Sequence, residues 1–168
     1  MRNGFFFHEI VFGDPEAIHT LTIVIHFKCV FCAKVMFEVN KLISTFSDIK
    51  INVRFGNPAA GRELNEYITK SIIYLALKDL NIAKEAILDW ADVVILNSSK
   101  EKWEEKYSIS PAIIDTEDVK IVYKKYLNWY SSVGLNYSPA MFFDGKFIPK
   151  VYQINNLKVF FRWMSHES

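Results

Sequence analysis

The chain has 168 residues, 20 Lys and Arg against 19 Asp and Glu, and two cysteines. That length makes one ordinary domain, or one domain carrying an insertion, and 51% hydrophobic residues supply a packed core rather than disorder. A net charge of +1 gives no electrostatic basis for binding nucleic acid or an anionic membrane surface, and two cysteines fall short of a disulfide framework or a Cys-rich zinc site.

From Met1 to Phe12 the only apolar run, Phe5-Phe6-Phe7, is cut by His8 and Glu9 and is too short for a signal-peptide core. It reads as either an extra strand or a partner surface. Outside a cytoplasm the chain would therefore act as a mature fragment or as a domain of a longer, membrane-attached protein; as a full-length product it would be cytoplasmic. After the turn cluster Gly13-Asp14-Pro15, the β-branched run Leu21 to Phe27 predicts a strand buried on both faces. Val35, Met36, Val39, Leu42, Ile43 and Phe46 then recur at helical spacing, with the helix beginning at Cys29. Ile49 to Phe55 alternates with period two and stops at Gly56-Asn57-Pro58, completing a βαβ unit.

From Ala59 to Val133 the signals are helical. Stripes run from Leu64 to Ala76, from Ile82 to Trp90 and from Val119 to Val133, the last preceded by capping and first-turn residues Asp115 to Asp118. The charged run Lys100 to Lys106 reads as a solvated helix face anchored by Trp103. Tyr126 to Phe143 carries no formal charge, but its Asn, Ser, Gly and Pro residues exclude a membrane-spanning helix. Strand signals return at Pro139 to Phe143, where Asp144-Gly145 predicts a hairpin into Lys146-Phe147-Ile148, and a last amphipathic segment runs from Ile154 to Met164. The predicted order is β-α-β, a helical block, then β-β-α.

The chemistry lies at Cys29-Val30-Phe31-Cys32, at the junction of a buried strand and the first turn of a helix. That spacing brings two sulfurs within disulfide reach, and the first cysteine meets unpaired backbone N–H groups and the positive end of the helix dipole. Cys29 is then the attacking thiolate and Cys32, one turn further in, the resolving thiol. Lys28 and His26 are near enough in sequence to add positive charge. Three other readings stay open: a zinc site from His26, Cys29 and Cys32 with His8, His19 or His166 as fourth ligand, a pair of buried structural cysteines, and, for His26 taken alone, an ordinary core or edge histidine, which is the commoner case for a lone His.

Gly13-Asp14-Pro15-Glu16-Ala17, Leu21-Thr22-Ile23-Val24, Cys29-Val30-Phe31-Cys32-Ala33-Lys34, Ser138-Pro139-Ala140-Met141-Phe142-Phe143-Asp144-Gly145-Lys146 and Tyr152 to Leu157 together resemble the DsbA-like branch of the thioredoxin superfamily. Within it the chain is most similar to thioredoxin-like domains that accompany vitamin K epoxide reductase-type membrane domains in Bacteroidetes-like bacteria. The resemblance implies an α/β thioredoxin fold over residues 1–58 and 134–168 with an all-helical insertion over 59–133. It also implies a cis peptide before Pro139, packed against the dithiol, with the Ser138 backbone pairing to an incoming peptide. Ser138 is extended in any case, because it precedes proline.

Two departures stand out. Relatives carry pairs such as Gly-Pro, Pro-His or Pro-Tyr between the cysteines, whereas Val30 and Phe31 bring no side-chain donor to the Cys29 sulfur, which points to a less oxidising couple than a Pro-His pair gives. Ile23 stands where thioredoxins proper often have a buried acid, so proton transfer to and from Cys32 has to use water or another group. The expected activity is thiol–disulfide exchange with protein cysteines through a mixed disulfide on Cys29. Val30, Phe31, Ser138 and Pro139 would contact the peptide, no organic cofactor or metal is called for, and a quinone-linked vitamin K epoxide reductase-type membrane partner would reoxidise the pair. A peptide-binding or chaperone-like module with a vestigial dithiol is the alternative.

Overall fold

In the computed structural model, residues 9–57 and 61–167 are described, with side chains to residue 164. The expectation for Phe5 to Phe7 therefore lies outside the described residues. The sheet is organised around β2, formed by His19–Ile25, because Leu21, Ile23, Val24 and Ile25 are all buried and only a strand covered on both faces can accommodate them. With β1 at Ile10–Phe12, β3 at Ile49–Phe55, β4 at Ala140–Phe143 and β5 at Lys146–Ile148, the sheet order is β1-β3-β2-β4-β5. β2 and β3 are parallel, aligning Leu21 with Ile51 and Ile23 with Val53, and the crossover between them is α1, Val30–Thr45. The other pairings are antiparallel.

The predicted strand at 21–27 is displaced by two residues. His26 and Phe27 leave the sheet because the Phe27 backbone is bonded elsewhere: its N–H donates to Asn65 Oδ1 at 2.8 Å and its carbonyl accepts from Trp90 Nε1 at 2.8 Å. β1 was not foreseen; three residues are too few to show a period, yet Ile10 and Phe12 are buried where they pair with β3. The hairpin forms as its sequence requires, with Asp144 (φ 47°) and Gly145 (φ 78°) both in the left-handed region that matches the strand twist.

Between β3 and β4 run α2 (Arg62–Lys78), α3 (Leu80–Leu96), α4 (Lys100–Lys106), the short α5 (Pro111–Ile114) and α6 (Glu117–Ser132); the described residues of this stretch contain no strand. Asp79 caps α3 through Asn81 and Ile82 N–H, and Ser99 caps α4 through Lys102 N–H. The charged face of α4 is solvated as its composition predicts, while Trp103 is buried and donates to the Ala86 carbonyl at 2.9 Å. At α6 the first-turn acids Glu117 and Asp118 are in place, but Thr116 at the cap position makes no side-chain cap bond. The closing helix α7 spans Ile154–Glu167 and buries Ile154, Leu157 and Phe161, leaving Phe160 exposed. One continuous core joins the sheet, α1, the intervening helices and α7. Among the described residues no helix is long and apolar enough to cross a membrane.

Candidate active site

Cys29 sits at the N-cap of α1 in an extended conformation; the helix begins one residue later than its sequence suggested, at Val30. In place of the usual hydroxyl or carboxylate, the sulfur performs the capping: Cys29 Sγ accepts from the Cys32 backbone N–H at 3.2 Å. The charge that best suits this position is negative, because the orphan N–H groups of the first turn and the helix dipole converge there and the first turn carries no acidic side chain.

Both cysteines are free thiols, Cys29 half-buried and Cys32 buried. The hydrogen bond with the Cys32 side chain, joined by bonds from the Cys32 backbone and the Ser138 side chain, outweighs burial and lowers the Cys29 pKa from its ordinary 9.0 to about 6. Cys32 moves the opposite way, pushed up first by burial and then by its neighbour's sulfur. One thiol is thus poised as a nucleophile and the other is kept protonated.

The proline loop completes the arrangement. The Ser138–Pro139 peptide is cis, and the Cys29 thiol donates to the Ser138 carbonyl at 3.8 Å. β4 begins directly after this loop, and its antiparallel register with β2, Val24 against Ala140 and Ile23 against Met141, holds the loop beside the cysteines. A groove of about 810 Å³ opens alongside, walled by Phe31, Phe37, Tyr137, Ser138, Pro139 and Tyr152 among others. Phe31 is 69% exposed at its rim, with Lys34 Nζ 5.7 Å over the ring. Val30 is exposed too, but it is not part of the groove wall. Of the six residues singled out in the sequence, Cys29, Cys32, Phe31, Ser138 and Pro139 therefore converge.

His26 does not supply the positive charge its position promised, because burial lowers its pKa and favours the neutral imidazole. For the zinc reading, no group of three or more His, Cys, Asp or Glu side chains placed to hold a metal ion is found among the described residues, and two of the possible fourth ligands, His8 and the His166 side chain, lie outside them. Ile23 is fully buried in the sheet, so no carboxylate stands at that position.

Two residues that sequence reasoning treated only as helical filler, or passed over, hold the approach to Cys29. Asn65 on α2 accepts from Phe27 N–H and donates to the Gly56 carbonyl at 3.0 Å, tying together the ends of β2 and β3; Trp90 on α3 holds the Phe27 carbonyl. The signal available for Asn65 was a lone amide beside an apolar helical stripe, next to Leu64 and ahead of Ile68.

No protein-family model matches the chain, and no curated protein does. Solved structures do. The catalytic domain of Proteus mirabilis ScsC is 12% identical, with a TM-score of 0.76 over 93% of this chain and 88% of that one. A periplasmic thioredoxin-like protein from Salmonella enterica serovar Typhimurium is 13% identical, with a TM-score of 0.75 over 93% and 89%. The thiol-disulfide exchange protein alpha-DsbA2 from Wolbachia pipientis is 12% identical, with a TM-score of 0.70 over 94% and 88%. At these identities the likeness is one of fold: a mixed five-stranded thioredoxin fold with a helical insertion.

Proposed function

We propose that this chain is a thiol–disulfide oxidoreductase of the DsbA-like kind, exchanging the Cys29–Cys32 pair with cysteines of other proteins. The observation that carries the reading is the asymmetry of the pair: Cys29 caps α1 with its pKa lowered to about 6, while Cys32 is buried and held protonated. In the reducing direction the Cys29 thiolate attacks one sulfur of a substrate disulfide and expels the other as a thiolate. Cys32, once deprotonated, attacks Cys29 Sγ, forms the Cys29–Cys32 disulfide and releases the second substrate thiolate. The oxidising direction is the reverse. The two electrons reside in the sulfurs throughout, so the exchange itself calls for no further cofactor.

The groove beside Pro139 supports a peptide substrate, with Ser138 in its wall as the backbone an extended chain would pair with and Phe31 offering apolar contact. An extracytoplasmic setting and reoxidation by a vitamin K epoxide reductase-type membrane protein are part of the same proposal, supported by the sequence resemblance. The groove would equally serve a peptide-holding module, which is the second reading. Replacing Cys32 with Ser separates the two: an oxidoreductase accumulates mixed disulfides on Cys29 when offered proteins with disulfides, each adduct releasing one substrate thiolate, whereas a holding module gives reversible binding without covalent adducts.

A further inference from the structure

The resolving step requires Cys32 to lose a proton inside the protein, and no carboxylate stands at the Ile23 position to take it. Behind the cysteines lies a cavity of about 10 Å³, bounded by His26, Cys29 and Cys32 on one side and by Ile87, Trp90, Ala91 and Val94 of α3 on the other. That is about the volume one water molecule needs. His26 Nδ1 is buried and has no hydrogen-bond partner among the described residues, an unusual state for a buried imidazole nitrogen, while the His26 backbone bonds to the Cys32 sulfur. Among the described residues the titratable groups on the wall are His26 and the two thiols of the pair; α3 contributes Ile87, Trp90, Ala91 and Val94, and Tyr130 of α6 lies near enough to Cys32 to feel its charge.

We propose that His26, through a single water in this cavity, accepts the proton of Cys32 during resolution and returns it when the disulfide is reduced. This rests on the oxidoreductase reading above. The balance is simple: the Cys32 thiol gives its proton to the water as the water passes one to His26 Nδ1, the Cys32 thiolate attacks Cys29 Sγ, and the substrate sulfur departs as thiolate. The imidazolium then loses its proton to solvent. Burial favours neutral His26, the form that has a lone pair to offer. His26 acts on Cys32 through the water and is a proton-transfer residue rather than part of the sulfur chemistry.

The aromatic disulfide dithiobis(nitrobenzoate) separates the two steps, because attack by Cys29 releases one coloured thiolate and attack by Cys32 on the resulting mixed disulfide releases the second. His26→Gln is expected to leave the first release within about twofold and to slow the second about tenfold or more at neutral pH. The wild-type second step should level off above the His26 pKa, while that of the variant keeps rising with hydroxide. Ala91→Val, which fills the cavity, should slow the second step alone. An unchanged second step in His26→Gln, in rate and pH profile, overturns the proton route. So does equal slowing of both steps, which marks a packing role, and an unaffected second step in Ala91→Val removes the water. If the wild type releases no second thiolate, the oxidoreductase reading fails with the inference; a two-step wild type with an unchanged His26→Gln second step sinks the inference alone.

Discussion

Asn65→Ala should be among the most destabilising single substitutions that leave the two cysteines untouched. Asn65 is 1% exposed, and its amide satisfies two buried backbone groups at once, the Phe27 N–H and the Gly56 carbonyl. Removing it strands both, because the β2–β3 ladder ends here with the Gly56 N–H on the Ile25 carbonyl, and neither group has another backbone partner among the described residues. A buried polar group left unpaired costs about 1–3 kcal/mol, so the pair comes to about 2–6 kcal/mol, a large part of the stability of a domain this size. Urea unfolding followed by tryptophan fluorescence would read this directly. With a slope of about 2 kcal/mol per molar, the midpoint should fall by about 1–3 M with the slope unchanged. A loss below about 0.5 kcal/mol would refute the reasoning, showing that the helical block does not anchor the segment leading into Cys29.

Further outcomes are expected for the thiol pair, for Trp90 and for Phe31. Thiolate absorbance of the reduced protein should titrate with a midpoint near 6 that Cys29→Ser abolishes; a midpoint near 9 would contradict the capping geometry. Because the folded pKa lies below the ordinary value, the thiolate's contribution to the stability of the reduced form is complete above about pH 9 and is lost as pH falls through about 6, which denaturant midpoints measured across that window would show. Trp90→Phe keeps an aromatic ring against Phe27 and Trp103 but leaves the Phe27 carbonyl unpaired, and should cost about 1–3 kcal/mol in the same urea assay; a change within about 0.5 kcal/mol would contradict it. Phe31→Ala, at a 69% exposed position, should leave stability within about 0.5 kcal/mol while raising KM several-fold for a peptide disulfide and sparing a small-molecule disulfide, and equal effects on both substrates would count against the groove.

The elements legible in the sequence are those whose side chains carry a long enough period. β3 spans Ile49–Phe55 as its alternation predicts, and α1 and α6 follow their apolar stripes to within a residue or two. The hairpin was visible because Asp144-Gly145 accepts two consecutive positive φ angles at little cost. β1 and α5, with three and four residues, are held by tertiary packing and by Pro111 rather than by any repeat. The placement of His26 and Phe27 outside β2 could not be read either, since the residues that draw them out, Asn65 and Trp90, are distant in sequence and look like ordinary members of amphipathic helices. At the site, the cysteine pair and Pro139 carry their own signal. The neutral state of His26, the small cavity behind Cys32 and the exclusion of Val30 from the groove wall depend on how α3 and the proline loop pack around them.

The central claim is that Cys29 and Cys32 form a working redox couple. Equilibrating the protein across a series of glutathione buffers, quenching with acid and counting free thiols by mass spectrometry tests it most directly. The account predicts one reversible two-electron transition between a dithiol and an intramolecular disulfide, lost in both Cys29→Ser and Cys32→Ser, with a potential less oxidising than that of a Pro-His couple. A pair that stays reduced, or stays oxidised, at every buffer ratio would contradict it.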